Sequence, residues 1–293
     1  MESIFTVEWM KQVAHQARAD GGVTGLVPTM GALHEGHLSL VRAAQQQCNP
    51  AVVSIFVNPM QFGPNEDFQK YPRPMERDAA LLESLRVNYL FAPPPGEIYP
   101  GGFRTYVQVE GLSERFEGRS RPGHFRGVTT VVLKLLEIVQ PHFAYFGRKD
   151  AQQARIIRQM ARDLNLDAEI IVCPIVRERD GLAISSRNAY LKENERRAAT
   201  VLYRALDAAR QEILAGQCDA VRLLAAMRRH LDTETLVTTD YAEIVDAETF
   251  EAVSPLRRDC LVLLAAFVGS TRLLDNMLVE EVENPQGPLR ISL

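Results

Sequence analysis

The sequence has no apolar run long enough to cross a membrane. Its longest, Leu261–Val268, holds eight residues, against the ~20 that a spanning helix needs. Met1 to Met10 lacks the basic and apolar regions of a secretory signal, so a cytoplasmic protein is expected. Cysteine is scarce: Cys48, Cys173, Cys218 and Cys260 lie far apart, with no CxxC and no Cys/His cluster. That excludes a disulfide framework and a zinc-finger type of site, and leaves most of the four as small core residues. Surplus positive charge is also missing. Lys and Arg number 33 against 37 Asp and Glu, a net charge of -4, which argues against general nucleic-acid binding. GxxxxGK[ST], GxGxxG and internal repeats are all absent. What remains is a chain of 293 residues, 46% hydrophobic and 24% charged. This composition is ordinary for a folded globular protein of one large or two modest domains.

The first half alternates strand and helix patterns. Strands are expected at Val23–Met30, Ala51–Val57, Asn88–Ala92, Arg104–Val109, Phe143–Phe146 and Ala168–Val172. Helices are expected at His37–Cys48, Met75–Leu85, Gly127–Val139 and Asp150–Leu164. Such alternation predicts an α/β fold with a mostly parallel sheet covered on both faces, and ligands beyond the carboxyl ends of its strands. After Pro174 the pattern changes. Two amphipathic helices, Lys192–Ala215 and Ala220–Leu231, precede strands at Tyr241–Val245 and Cys260–Val268, as in a smaller α+β domain. The Pro- and Gly-containing run Glu283–Pro288 reads as a frayed tail.

Five loops concentrate polar chemistry. Pro28–His37 joins a strand to a helix, with Gly31 able to turn sharply and Gly36 to admit a close ligand. Amides at a helix start attract phosphate, and His34 and His37, three apart, share one face. Only two residues separate these histidines, not the three of HExxH, so zinc ligation is disfavoured. A solvated loop is the other reading. Asn58 and Gln61 follow the second strand, where Gln61 suits a small hydroxy acid and a capping role is the alternative. Asp67 and Asp78 are weak candidates for Mg²⁺. Glu117–Val128 packs Arg119, Arg121, His124 and Arg126 into one loop, either a solvated surface or a site for a carboxylate or phosphates. Gly147–Gln153 places Lys149 before a helix that Asp150 can cap, and a surface lysine is the bland alternative. Val176–Asn188 offers Ser185, Ser186 and Arg187, a phosphate clamp or a capping turn.

The HxGH run at the end of a first strand resembles the motif of the HIGH-motif nucleotidylyl transferase superfamily. Five further-reaching segments, PTMGALHEGHLSLV, VSIFVNPMQFGPNEDFQKYPR, RPGHFRGV, FGRKDAQQ and DGLAISSRNAYL, together resemble the pantothenate synthetase family, and Ser270–Asn276 continues the match. The resemblance implies a Rossmann-like catalytic domain over residues 1–175, a C-terminal α+β lid domain over 176–283 and a tail over 284–293. It implies ATP as a substrate, with Mg²⁺, contacting Met30, Gly31, Ala32, Leu33, His34, Glu35, Gly36, His37, Gly147, Arg148, Lys149, Asp150, Val176, Ile184, Ser185, Ser186 and Arg187. Pantoate falls to Gln61 and Gln153, which are expected to face each other, and β-alanine to Gln61. His34, His37 and Lys149 are the catalytic candidates. The family often has Glu where this chain has Arg148, a reversed charge beside the phosphate positions. The implied reaction joins pantoate to β-alanine through an adenylate, in a homodimer without nucleic-acid or membrane partners. The basic residues His34, His37, Arg121, Lys149 and Arg187 are expected to offset the acidic average around a nucleotide. A transferase that makes a stable dinucleotide, or a regulatory nucleotide-binding protein, are the competing readings.

Overall fold

The computed structural model describes residues 1–64, 66, 68–256, 259–280 and 290–293. Asp67 and the run 283–288 therefore lie outside the described residues. Contacts divide the chain into two units: Met1–Arg148 with Gln152–Cys173, and Lys149–Ala151 with Pro174–Leu293.

In the first unit the chain order is β1 (Glu2–Ile4), α1 (Val7–Ala19), β2 (Gly25–Thr29), α2 (Glu35–Gln47), β3 (Ala51–Ile55), α3 (Met75–Ser84) and β4 (Tyr89–Phe91). It continues with α4 (Pro95–Ile98), α5 (Glu117–Ser120), α6 (His124–Val139), β5 (Phe143–Gly147), α7 (Ala151–Asp163) and β6 (Glu169–Cys173). The six strands form one parallel sheet in the order β1-β4-β3-β2-β5-β6. Successive strand residues face opposite sides, and the cores record this. Leu26, Val52, Ala144 and Phe146 join α1, α6 and α7 in one core, while Val27, Val53 and Tyr145 join α2 and α3 in another. All five residues of β3 are buried, as in a strand covered on both faces. From β2 the chain moves outward to β3 and β4, then returns to the other side of β2 as β5. Ligands of open α/β sheets bind outside the carboxyl ends of strands at such a reversal. The loop after β2 and Gly147 at the end of β5 lie there.

The second unit contains α8 (Glu193–Ala198), α9 (Val201–Leu214), α10 (Ala220–Leu231), β7 (Val237–Asp246), β8 (Cys260–Val268), β9 (Thr271–Glu280) and β10 (Arg290–Ser292). Its four strands make an antiparallel sheet, β10-β9-β8-β7, packed with the helices over a core of its own. Asp219 caps α10, its carboxylate accepting from the amides of Val221 and Arg222.

Several elements differ from the sequence expectation. Arg104–Val109 forms no regular element and joins no sheet. Val107 donates its amide to Thr130 Oγ1 at 3.0 Å and accepts from Thr129 Oγ1 at 2.6 Å, so hydroxyls of α6 replace a strand ladder. The helix expected over Lys192–Ala215 is two helices. The Thr200 amide and hydroxyl both turn back to the Arg197 carbonyl, a local bond that competes with the helical ladder. The first strand and helix, and β9 and β10, were not anticipated, and residues 290–292 pair with β9 where a tail was expected. Cys48, Cys173 and Cys260 are buried, as expected of core residues, whereas Cys218 is exposed.

Candidate active site

In the first unit the Met30–His37 loop leaves the central strand and enters α2. Thr29 Oγ1 ties its start down, donating to the Ser54 carbonyl and accepting from the Gly31 amide. Gly31 takes φ +83, and a Cβ there would crowd Asp78 and Ile55 at 3.1 Å, so glycine is required for the turn. Asp78, 1% exposed, accepts from the amides of Ala32 at 2.7 Å and Leu33 at 2.9 Å. Its two oxygens anchor the loop. That corrects the Mg²⁺ candidacy of Asp78: a carboxylate spent on two amides in the core is poorly placed to take a cation.

His34 is the N-cap residue of α2, and His37 lies one turn in. Their rings stack with centroids 4.0 Å apart and planes 28° apart. The His34 amide donates to His37 Nδ1 at 3.4 Å. With Nδ1 accepting, the proton of a neutral His37 ring sits on Nε2, which makes that nitrogen a donor. A pair of imidazoles at the start of a thirteen-residue helix combines ring donors with the positive end of the helix dipole. Such a place favours an anion.

Gln61 ends a 3₁₀ turn, Pro59–Gln61, just beyond β3. Asn58, 1% exposed, organises this turn. Its Oδ1 accepts from the Met60 amide and from the Tyr99 hydroxyl, and its Nδ2 donates to the Gly127 carbonyl and to Gln61 Oε1. The amide of Gln61 is thereby oriented with its nitrogen outward, 2.9 Å from Met30 Sδ. Gly127 makes room: a Cβ on this helix residue would fall 2.3 Å from the Met60 carbonyl oxygen. Within the arginine-rich loop Arg121 is paired with an acid, while Arg126 lies over the Tyr106 ring. Arg121 spans Glu66 with Nε at 2.8 Å and Nη2 at 2.5 Å, and also donates to the Gln61 carbonyl. Burial pushes the Glu66 carboxyl up, but the bond from Arg121 prevails and holds it below its ordinary value. Arg121, expected among the cations around a nucleotide, is thus paired with Glu66 within the first unit. His124 Nδ1 lies 2.8 Å from the Gln61 carbonyl and Nε2 lies 3.1 Å from Arg121 Nη1. Because Arg can only donate, Nε2 accepts and Nδ1 carries the proton. Burial, then the Arg121 charge, lowers its pKa to about 4, so the ring is neutral.

In the second unit Val176–Ile184 folds into a small hairpin. Arg177 bridges Ala183, and the Ile184 amide reaches the Val176 carbonyl at 3.0 Å. Ser185 then caps the 3₁₀ turn Ser186–Tyr190, its Oγ accepting from the Arg187 amide. Lys149 Nζ lies 3.4 Å from Asp150 Oδ1. Among the described residues no group of three or more His, Cys, Asp or Glu could hold a metal ion, and no helix is long and apolar enough to cross a membrane.

The family model for pantoate-beta-alanine ligase matches residues 2–278. The chain belongs to the pantoate-beta-alanine ligase family. Pantothenate synthetase of Caldicellulosiruptor bescii is 54% identical over 274 residues, covering 94% of this chain and 97% of that protein. The crystal structure of the Thermus thermophilus pantothenate synthetase superposes with a TM-score of 0.88 at 45% identity, covering 94% of this chain and 98% of that one. A pantoate-beta-alanine ligase from Francisella tularensis, complexed with beta-gamma ATP and β-alanine, superposes at 0.78 with 34% identity, covering 95% and 97%.

Within this ligase fold the structure brings together Met30, His34, His37 and Gln61 around the ends of β2 and β3. Gly147 closes β5, and Arg148–Asp150 form one 3₁₀ turn before α7. Gln153 lies in the first turn of α7, but Gln61 bonds Asn58 and Met30 rather than Gln153. Its neighbour Gln152 is structural: buried, it receives the Glu117 amide and donates to the carbonyls of Leu112 and Arg115. Tyr99, Gly127, Arg177, Asp275 and Asn276 had no assigned role in the sequence. For the last two a signal existed, since adjacent Asp and Asn inside an apolar strand demand partners.

Proposed function

We propose that this chain is an ATP-dependent ligase that joins pantoate to β-alanine through a pantoyl adenylate, releasing AMP and pyrophosphate. The observation that carries the reading is the stacked His34–His37 pair at the N-terminus of α2, at the carboxyl end of the central strand. In the first step the carboxylate of pantoate attacks the α-phosphorus of ATP and pyrophosphate leaves. Pantoate is already ionised at neutral pH, so no base is needed to create the nucleophile. The obstacle is the approach of an anion to a polyanion, and fixed donors must offset the charge as it builds. His34 and His37, with the loop amides of Met30–Gly36, take that role in the first unit, and His37 Nε2 donates. Lys149, Ser185, Ser186 and Arg187 take it in the second unit, with Gly147, Arg148, Asp150, Val176 and Ile184 supplying backbone and shape. In the second step the neutral amine of β-alanine attacks the activated acyl carbon and AMP leaves. Gln61 and Gln153 are assigned to pantoate, and Gln61 also to β-alanine. Orientation by such groups lowers the barrier by removing the entropy of encounter.

Mg²⁺ neutralises phosphate charge when it is bound. Among the described residues no group of three or more His, Cys, Asp or Glu could hold it, and Mg²⁺ in phosphate chemistry is commonly held by one or two carboxylates, waters and the phosphates themselves. The family resemblance further supports a cytoplasmic homodimer. Light scattering should give about twice the chain mass of 32.8 kDa, and a mass of one chain would contradict the dimer.

The reading is tested by product analysis. With ATP, pantoate and β-alanine together, AMP and pantothenate should form in equal amounts, and omission of pantoate should abolish AMP. An adenylyl group retained in a stable product would instead mark a nucleotidylyl transferase, and no turnover would mark a binding protein.

A further inference from the structure

The run Ser270–Asn276 has so far been given no role. It places Asp275 and Asn276 side by side on β9, 3% and 2% exposed. Two polar side chains this deep in a sheet destabilise it unless they find partners. Both are used on segments that the ligase reading assigns to phosphate. Asn276 Nδ2 donates to the Lys149 carbonyl at 2.9 Å. The carboxylate of Asp275 holds Arg177 through two bonds, of 2.6 and 2.8 Å, and Arg177 also donates to the Gly181 carbonyl at 3.0 Å. Arg177 lies on the first arm of the hairpin whose other arm runs through Ala183 and Ile184 into Ser185. The Asn276 amide donates back to Asp275 Oδ1 at 2.8 Å, which joins the two residues into one network.

We propose that Asn276 and Asp275 are positioning residues for ATP: Asn276 holds Lys149 and Asp275, through Arg177, holds the Ser185–Arg187 turn. One dipeptide of β9 thus sets the spacing between two phosphate-binding elements that lie 36 or more positions apart in sequence. This is consistent with Lys149–Ala151 grouping with the second unit although its chain neighbours on both sides belong to the first. The inference rests on the ligase reading, which gives Lys149 and Arg187 to the nucleotide. Neither Asp275 nor Asn276 is a catalytic residue.

The test is a double-mutant cycle read as separate KM values for ATP and pantoate. Asn276→Asp keeps the shape, removes the donor and sets a negative oxygen against the Lys149 carbonyl. It should raise the KM for ATP about tenfold, the effect of one lost hydrogen bond, and leave the KM for pantoate within about twofold. Added to Lys149→Ala, it should raise the KM for ATP no further, because Asn276 acts through Lys149. If Asn276→Asp does not fold, Asn276→Ala, which removes the donor without adding charge, carries the same cycle. Equal rises in both KM values, or additive effects on ATP in the double variant, would overturn the inference. A Lys149→Ala variant with unchanged KM for ATP would instead show that the ligase assignment of Lys149 has failed, and the inference with it.

Discussion

His124 is a buried histidine that works without charge. Its Nδ1 faces the Gln61 carbonyl, its Nε2 faces Arg121, and Glu66 and Glu117 are the nearby acids. The folded-state pKa of about 4 lies below the ordinary 6.5. As pH falls, the unfolded chain therefore takes up the proton first. The stability tied to this ring is fully present above pH 6.5 and is lost as pH falls toward 4, by about 3 kcal/mol in all. Urea midpoints measured from pH 7.5 to pH 4.5 should fall more steeply for the wild type than for His124→Gln, which has no proton to gain. Parallel slopes would contradict the assignment. At this scale the sequence was partly legible. The spacing of His34 and His37 announced a shared face, because three residues make nearly one helical turn. The partner of Arg121 was not legible, since Glu66 lies 55 positions away and a charged loop reads the same whether it is paired or open. Asp78 read as a weak Mg²⁺ candidate until its two amide partners appeared, 45 and 46 positions away.

At the scale of elements, local pattern succeeded wherever packing was uniform along the segment. β8 and α10 fall where the periodicity puts them, because each buries a continuous stripe or face in one core. β3, β4 and α3 agree to within a few residues. Pattern failed where a side chain replaced a backbone partner. The alternation of Arg104–Val109 is that of a strand, but its hydrogen bonds go to Thr129 and Thr130, and no local signal reveals a threonine pair on a distant helix. Thr200 breaks the helix between Ala198 and Val201 for a related reason. β1 was missed because it is short. Its three residues pair with β4 along one edge of the sheet, where little periodicity can accumulate. β9 was missed because its buried Asp275 and Asn276 interrupt the apolar pattern, and they do so because they serve the neighbouring loops.

Across the whole molecule, three cores support two kinds of sheet, two on the faces of the parallel sheet and one under the antiparallel sheet, and the net charge of -4 describes neither unit's chemistry. Arg121 with Glu66, Arg177 with Asp275, and Arg196 with Glu178 and Asp180 are paired within their own units. The average acidity therefore hides a network in which cations near the functional loops are individually held. The alternation of strands and helices made the first unit legible as a parallel sheet, and the HxGH loop lies at the carboxyl edge of that sheet, between β2 and α2. We propose that this edge activates pantoate by adenylation, with His37 as a donor. Pantoate-dependent exchange of labelled pyrophosphate into ATP, measured without β-alanine, tests that step alone. The wild type should exchange, and a folded His37→Ala variant should exchange about a hundredfold more slowly, the usual cost of one preorganised donor. No pantoate-dependent exchange in the wild type, or undiminished exchange in the variant, would contradict the account.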